Sequence, residues 1–400
     1  MAEGFITRRG GVGAAERTTS PSINFVSKTG NQIVVTFTNF EANEVDIFYG
    51  ITSTLTDKVT VLASGTSSNV IISGLDGNTP YTISAYAIVT DATLKKIKSE
   101  VVSTNITTSI INYINATGGT ILTYEDNSTF YKSHTFTSSG NFVVNSLGST
   151  SALNEVDYLI IAGGAGGGGD GGVQGGYGGG GAGGYRTTNG TSGANSTAES
   201  KITVTEQSYT ITIGAGGAGG VSNVAGGNGI NSSALGITSI GGGGGGAHSQ
   251  DALSGGSGGG GSAQRRTGGS GTTNQGFSGG NGTGNEFGGG GGGAGEIGKT
   301  EDGSNAIGSK GGDGIFNTLR NGTSEIRAGG GGGGVALSFN AGSGGAGGGG
   351  AGGTNNNGLN AVVNTGGGGG GSAFWSGGSN FGGNGGSGIV IIRYEVGGLV

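Results

Sequence analysis

Glycine is crowded into one stretch of this chain: ninety of its 105 glycines lie between Gly163 and Gly388, in runs such as Gly241–Gly246 and Gly288–Gly293. A residue without a side chain builds no apolar core and loses the most backbone entropy on ordering. Such a stretch is either low-complexity and unstructured or held by its backbone alone. Three features favour order. Alternating segments punctuate it, KITVTEQSYTITIG (201–214) and NSSALGITSI (231–240), and SGIVIIRYEV (387–396) closes it. An apolar strand leads into glycine at Ile161, Ile213 and Ile240, and less clearly at Val363. There is no strict Gly-X-Y period and the chain holds two prolines, which excludes collagen.

An extended left-handed threefold helix has no internal hydrogen bonds and rises about 3.1 Å per residue. Its N–H and C=O groups point outward. Without Cβ atoms, several such helices can approach and bond one another, with Cα–H···O contacts added. The expectation is a bundle of bare helices in place of a side-chain core. The two six-glycine runs would each span roughly 19 Å, matched lengths that suit parallel layers.

The rest of the chain reads differently. Residues 1–20 are polar and small, with Arg8, Arg9 and Arg17, and form an N-terminal arm. From 21 to 109, short alternating segments between turn residues (INFVSKT, NQIVVTFTNF, EVDIFYG, DKVTVLAS, SNVIISGL, TPYTISAYAIVT, SEVVSTNITTS) indicate a β-sandwich. Within it, LDGNTPYTISAY (75–86) resembles the corner of a fibronectin type III module. That resemblance implies that Leu75 is core and that the Tyr81 hydroxyl ties the loop back to the backbone. The family's strand-B tryptophan is replaced by Phe37, which can fill the volume without needing a partner. Residues 110–162 are strand-like and lead into the glycine domain at 163–400, with Tyr158–Ile161 a buried strand and His134 on a solvated strand face.

The texture DYLIIAGGAGGGG, GGYGGGGAGGYR, YTITIGAGGAGG and the closing SGIVIIRY is similar to a glycine-rich domain of bacteriophage tail-fibre and other structural proteins. MAEGFITRRGG also looks like the start of phage structural proteins. The resemblance implies an all-β protein: a fibronectin type III-like sandwich, then a glycine-rich β domain with a polyglycine-II bundle whose loops meet a host receptor. The expected location is the virion, reached without the secretory signal or membrane span that the chain lacks. The expected partners are other virion or tail proteins and a host surface protein or glycan. Homo-oligomerisation suits a fibre, although no heptads show it. The alternative is a structural decoration or self-assembling fibre subunit that binds no receptor.

Chemistry is excluded by what is missing. The chain has no cysteine and two histidines, His134 and His248, too few for ordinary zinc or Ser-His-Asp sites. Asp170, Asp251, Asp302 and Asp313 are isolated, so no calcium loop is indicated. Frequent GxGxxG matches arise by chance in such a composition. A net charge of −6 gives no footprint for nucleic acid. Neither a catalytic residue nor a cofactor is expected.

Specificity would therefore lie in the breaks between glycine runs. These carry aromatics beside Asn, Gln, Ser or Arg: Tyr177, Phe277, Phe287, Phe316, Phe339, Phe374, Trp375 and Phe381, with His248, Arg265 and Arg266 on neighbouring breaks. Rigid aromatics with adaptable amides suit recognition of protein or glycan. The alternative for each is a plug closing the end of the bundle. The lone tryptophan, beside Phe374, is the first choice.

Overall fold

The computed structural model describes residues 22–28, 32–38, 44–51, 57–62, 67–73, 75, 77–90, 96–108 and 111–397, except 249, 265, 302–306, 338 and 376–379. The chain divides into two compact units, 1–112 and 113–400. The expected arm at 1–20 lies outside the described residues.

The first unit is a β-sandwich. One sheet holds Ser22–Lys28, Gln32–Thr38 and Ser67–Ser73 in that order. The other runs Asp57–Leu62, Glu44–Ile51, Pro80–Thr90, Lys96–Lys98, and Val102–Thr107 also pairs with Pro80–Thr90. Alternate residues Ile33 and Val35, Val70 and Ile72, and Tyr81, Ile83, Ala85 and Ala87 point inward onto Ile47 and Leu75. Leu75 and Tyr81 are thus core residues. Phe37 pairs across the sheet with Ile23 and Ser68, and its side chain lies outside the described residues.

The second unit begins with a second sandwich. A three-stranded sheet, Ser208–Ile211, Gly140–Ser146 and Asn115–Thr117, faces a larger one ordered Thr120–Asp126, Thr129–Phe136, Ile389–Val396, Glu155–Ile161 and Tyr185–Thr187. The two ends of this unit meet here, because the closing strand inserts between two strands from its start. Along Glu155–Ile161, Val156, Tyr158 and Ile160 enter one core with Phe142, Val144 and Tyr394. Leu159 and Ile161 enter another with Tyr185, Ile315, Leu319 and Ile391. Burial on both faces explains why this strand reads as a continuous apolar run. The segment 231–240, expected as one strand, is a hairpin of Ser232–Ala234 and Ile237–Ser239, whose turn residues Leu235 and Gly236 both have positive φ.

His134 corrects the sequence reading, which put it in solvent. It is fully buried. Its Nδ1–H donates to the Gly118 carbonyl (2.7 Å) and its Nε2 accepts from the Tyr394 hydroxyl (3.1 Å). The ring meets Phe142 edge-on at 5.1 Å. With both nitrogens partnered it serves as a polar core residue. Burial holds its pKa below 6.5 and pushes the Tyr394 hydroxyl up to about 12.

Beyond Ile161 the bonding changes character. Along 163–170 successive N–H groups address three neighbours in rotation. Gly163, Gly166 and Gly169 donate to Ile230, Gly227 and Val224; Gly164, Gly167 and Asp170 to Gly386, Gly383 and Asn380; Ala165 and Gly168 to Gly181 and Gly178. Their carbonyls accept from three further segments, through Gly242 and Gly245, Gly217, Gly220 and Asn223, and Gly369 and Ser372. All of these bonds run sideways between segments, with a repeat of three residues.

Segment 177–184 is the centre of this bundle. It bonds 163–170, 241–246, 257–262, 288–293, 329–335 and 366–372, which also bond one another, in that order, into a closed ring. A second shell surrounds the ring, made of 214–220, 224–230, 250–255, 268–271, 277–282, 297–301, 307–314, 342–346, 349–354, 357–362 and 380–386. The two six-glycine runs are both ring members but are not neighbours.

Position in the bundle explains the sequence. The centre and ring are almost wholly buried, whereas along 211–220 burial recurs at every third residue, Ile211, Gly214, Gly217 and Gly220, with Ala215 and Ala218 outward. A segment bonded on all sides has no room for a Cβ: a methyl at Gly180 would run into the carbonyls of Ala165 and Gly166. An outer segment has room for a Cβ only on its outward face, since a methyl at Gly216 or Gly219 would still run into the carbonyls of Gly385 and Gly382. Pure glycine runs therefore mark the interior, and a larger residue at every third place, as at Ala215 and Ala218, marks the wall.

The outer position beside 241–246 holds no segment among the described residues. There Asn231 and Asn228 present side-chain Oδ1 atoms to the N–H groups of Gly241 (2.8 Å) and Gly244 (2.9 Å). Gln250 Oε1 accepts from Ala225 N–H (2.8 Å). Amide side chains stand in for the missing backbone.

Candidate functional site

Because the chain reverses after each bundle segment, its connections collect at two ends. One end is joined to the strands through Ile161, Tyr185, the 232–239 hairpin and the hairpin Ile315–Asn317 with Glu325–Arg327. The connections around Val173, His248, Arg266, Phe287, Phe339 and Trp375 fall at the other, distal end. This sorts the sequence-derived residues. Phe277 and Phe316 belong to the strand-side end: Tyr185 N–H donates to nearby Gln275, and Phe316 sits in the 315–327 hairpin. Arg265 lies outside the described residues.

The distal loops are braced by two paired connections. Gly175 and Gly176 pair antiparallel with Phe374 and Ala373. Below them Asp170 is fully buried. Its Oδ1 accepts from Gly172 N–H (2.9 Å) and its Oδ2 from Asn380 N–H (2.5 Å), while Asn380 Nδ2 donates to the Ala373 carbonyl (2.7 Å). One carboxylate thus ties both loops. Tyr177 is buried, its hydroxyl donating to the Val173 carbonyl (2.5 Å). Burial, and then the Asp170 charge, push that hydroxyl's pKa upward.

Several of the aromatics close the bundle rather than face solvent. Tyr177 is one. Phe287 is another, buried and stacked on half-buried Phe339 with centroids 5.3 Å apart. At the distal surface Trp375 is 44% exposed and Val173 37%, with Phe374 and His248 half-buried. Arg266 reaches Asp251 at 3.5 Å across solvent, a contact worth little. Phe381 is exposed on the bundle wall, its N–H donating to Asn357 Oδ1 (2.7 Å). Among the described residues no cluster of three or more His, Asp or Glu could hold a metal ion.

Sequence reasoning missed the Asp170 clamp and the asparagine caps. A signal for the caps was present: Asn228 and Asn231, and Asn357 and Asn360, are three residues apart, the period of the bundle.

Ordered glycine segments, closed by strands and displaying loops at one end, define a glycine-rich structural domain. The glycine-rich domain family matches residues 137–395, more than half of the chain, and the chain belongs to that family. No curated protein matches it. A solved structure described as a computer-based redesign of a β-sandwich protein is 25% identical, covering 24% of this chain and 94% of that one, with a TM-score of 0.20.

Proposed function

We propose that this chain is a virion tail-fibre or tail-tip protein that binds a host surface protein or glycan through the distal loops of its glycine bundle. The observation that carries the reading is the sorting of connections. Non-repetitive loops bearing Val173, His248, Arg266 and Trp375 gather on one end of a body whose other end is fixed to strands. Recognition residues on a rigid base lose little entropy on binding. The bundle segments are read as threefold extended helices of polyglycine-II type, a reading supported by the three-residue rotation of their bonds. The first unit is read as a fibronectin type III-like spacer, supported by its two-sheet order and the burial of Leu75 and Tyr81.

The test is binding of the full labelled chain to a panel of bacterial envelopes. Trp375→Ala should weaken binding about tenfold or more, as an interfacial anchor does. Phe316→Ala, at the strand-side end, should leave it unchanged. A wild-type chain that binds no envelope but still decorates particles would establish the structural alternative. Loss on Phe316→Ala with none on Trp375→Ala would put recognition at the wrong end.

A further inference from the structure

An asparagine followed by glycine is chemically short-lived, because the glycine nitrogen can attack the asparagine side chain with no Cβ in its way. This chain has six such pairs, at Asn189, Asn228, Asn281, Asn321, Asn357 and Asn384. Asn228, Asn281, Asn357 and Asn384 stand on the outer shell of the bundle and are exposed. Each is pinned twice. Its Oδ1 accepts from another segment, through the N–H of Gly244, Gly268, Phe381 and Gly219 respectively. The N–H of the glycine that follows, Gly229, Gly282, Gly358 or Gly385, donates to the carbonyl of Gly242, Arg266, Phe381 or Gly217. Asn321 is pinned likewise: its Oδ1 accepts from Thr323 N–H (3.0 Å), and Gly322 N–H donates to the Thr318 carbonyl (2.9 Å).

Asn189 differs. It lies in the turn between Tyr185–Thr187 and Thr191–Ser192. Among the described residues the N–H of Gly190 has no hydrogen-bond partner, and Gly190 is exposed, with φ +76° and open space around it. Asn189 Oδ1 accepts one long bond, 3.4 Å, from the Thr318 hydroxyl. We infer that Asn189 is the site at which this chain deamidates spontaneously, and that the bundle's bonding shields its other Asn-Gly pairs. Gly190 loses its amide proton to hydroxide and its nitrogen attacks Cγ of Asn189. The Cγ–Nδ2 bond breaks as the new C–N bond forms, and Nδ2 takes a proton from water and leaves as ammonia. Water then opens the cyclic imide at either carbonyl, giving aspartate or isoaspartate. Asn189 N–H donates to Thr187 Oγ1 (3.2 Å) and its carbonyl accepts from Asn317 Nδ2 (3.2 Å). The extra backbone carbon of isoaspartate displaces the turn from the 315–327 hairpin, so the strand-side end ages first.

Exposure alone gives the opposite order, since Asn189 is half-buried while the four caps are exposed. The experiment is incubation of the folded full chain in mildly alkaline buffer, with peptide mass mapping and isoaspartate detection at intervals. Asn189 should convert about tenfold faster or more than any of the other five, each of which must first open two bonds. In urea the six rates should converge. Asn189→Gln should abolish the early conversion and the fall in melting temperature that goes with it. Caps that convert in the folded chain as fast as Asn189, or an Asn189 that converts in urea and stays intact in the folded chain, overturn the inference. The same ranking in urea as in the folded chain would assign the preference to local sequence and overturn it as well.

Discussion

Strand Glu155–Ile161 and segment 163–170 follow one another in the chain, yet they are buried by different physics. The strand buries Tyr158, Leu159, Ile160 and Ile161 between two apolar cores, and each such side chain contributes roughly 1.5–3 kcal/mol by leaving water. The segment after it is just as buried and has almost no side chain to remove. It is held by sideways backbone bonds, each worth only about 1 kcal/mol net, against a backbone ordering cost of about 1–2 kcal/mol per residue. The strand's neighbours can differ in shape if total volume is kept. The glycine segment must have its neighbours in register, because every unpaired buried N–H is a loss.

The sharpest way to break this comparison is to add a single methyl group. Gly180→Ala puts a Cβ against the carbonyls of Ala165 and Gly166, in a segment bonded on every side. It should destabilise the chain by about 3 kcal/mol or more, because neither carbonyl can move without losing its register. At Gly227, on the outer shell, the nearest atom to an added Cβ is the Ala218 nitrogen at 3.3 Å. Gly227→Ala should stay within about 0.5 kcal/mol. Thermal melts of the full chain check both, and equal effects at the two positions would mean that inner and outer segments are not distinguished as described.

The same distinction explains what could be read from the sequence. The strands were legible because period two and apolar runs report side-chain burial, as at Tyr158–Ile161 and in the closing strand. That glycine would be ordered by its own backbone was also legible. Its arrangement was not, because identical glycine runs carry no address: nothing in Gly241–Gly246 says that it bonds 257–262 and not Gly288–Gly293. His134 was misplaced because alternation marks which face a residue takes but not whether another sheet covers that face. Tyr177 and Phe287 looked like exposed loop aromatics since each borders glycine, and both are drawn in to close the bundle. The asparagine caps could have been found from their spacing of three.

A second test acts on the side-chain core alone. His134 is kept neutral by burial, so its folded-state pKa lies below 6.5. The unfolded chain takes up a proton near that value and the folded chain resists it. The stability it contributes is therefore present above pH 6.5 and is lost as pH falls below it. His134→Ala should cost roughly 2 kcal/mol at neutral pH, through the cavity and the unpartnered Gly118 and Tyr394 groups, and should flatten stability between pH 6.5 and the acid limb. Chemical denaturation at a series of pH values measures this. An unchanged slope in the variant would assign the acid sensitivity to other groups.

The smallest effect is expected where side chains imitate backbone. Asn228 and Asn231 fill the empty outer position with amide oxygens on Gly244 and Gly241, and both asparagines are themselves exposed. Replacing one by alanine frees a single N–H that water can reach, so Asn228→Ala should cost about 1 kcal/mol. Amide exchange gives the finer readout: Gly244 should lose protection in Asn228→Ala while Gly243 and Gly245, bonded to Ser257 and Gly166, keep theirs. Loss of protection at all three would show that the run opens as a unit. The threefold rotation of bonds, which makes each residue answer to its own neighbour, would then not govern its stability.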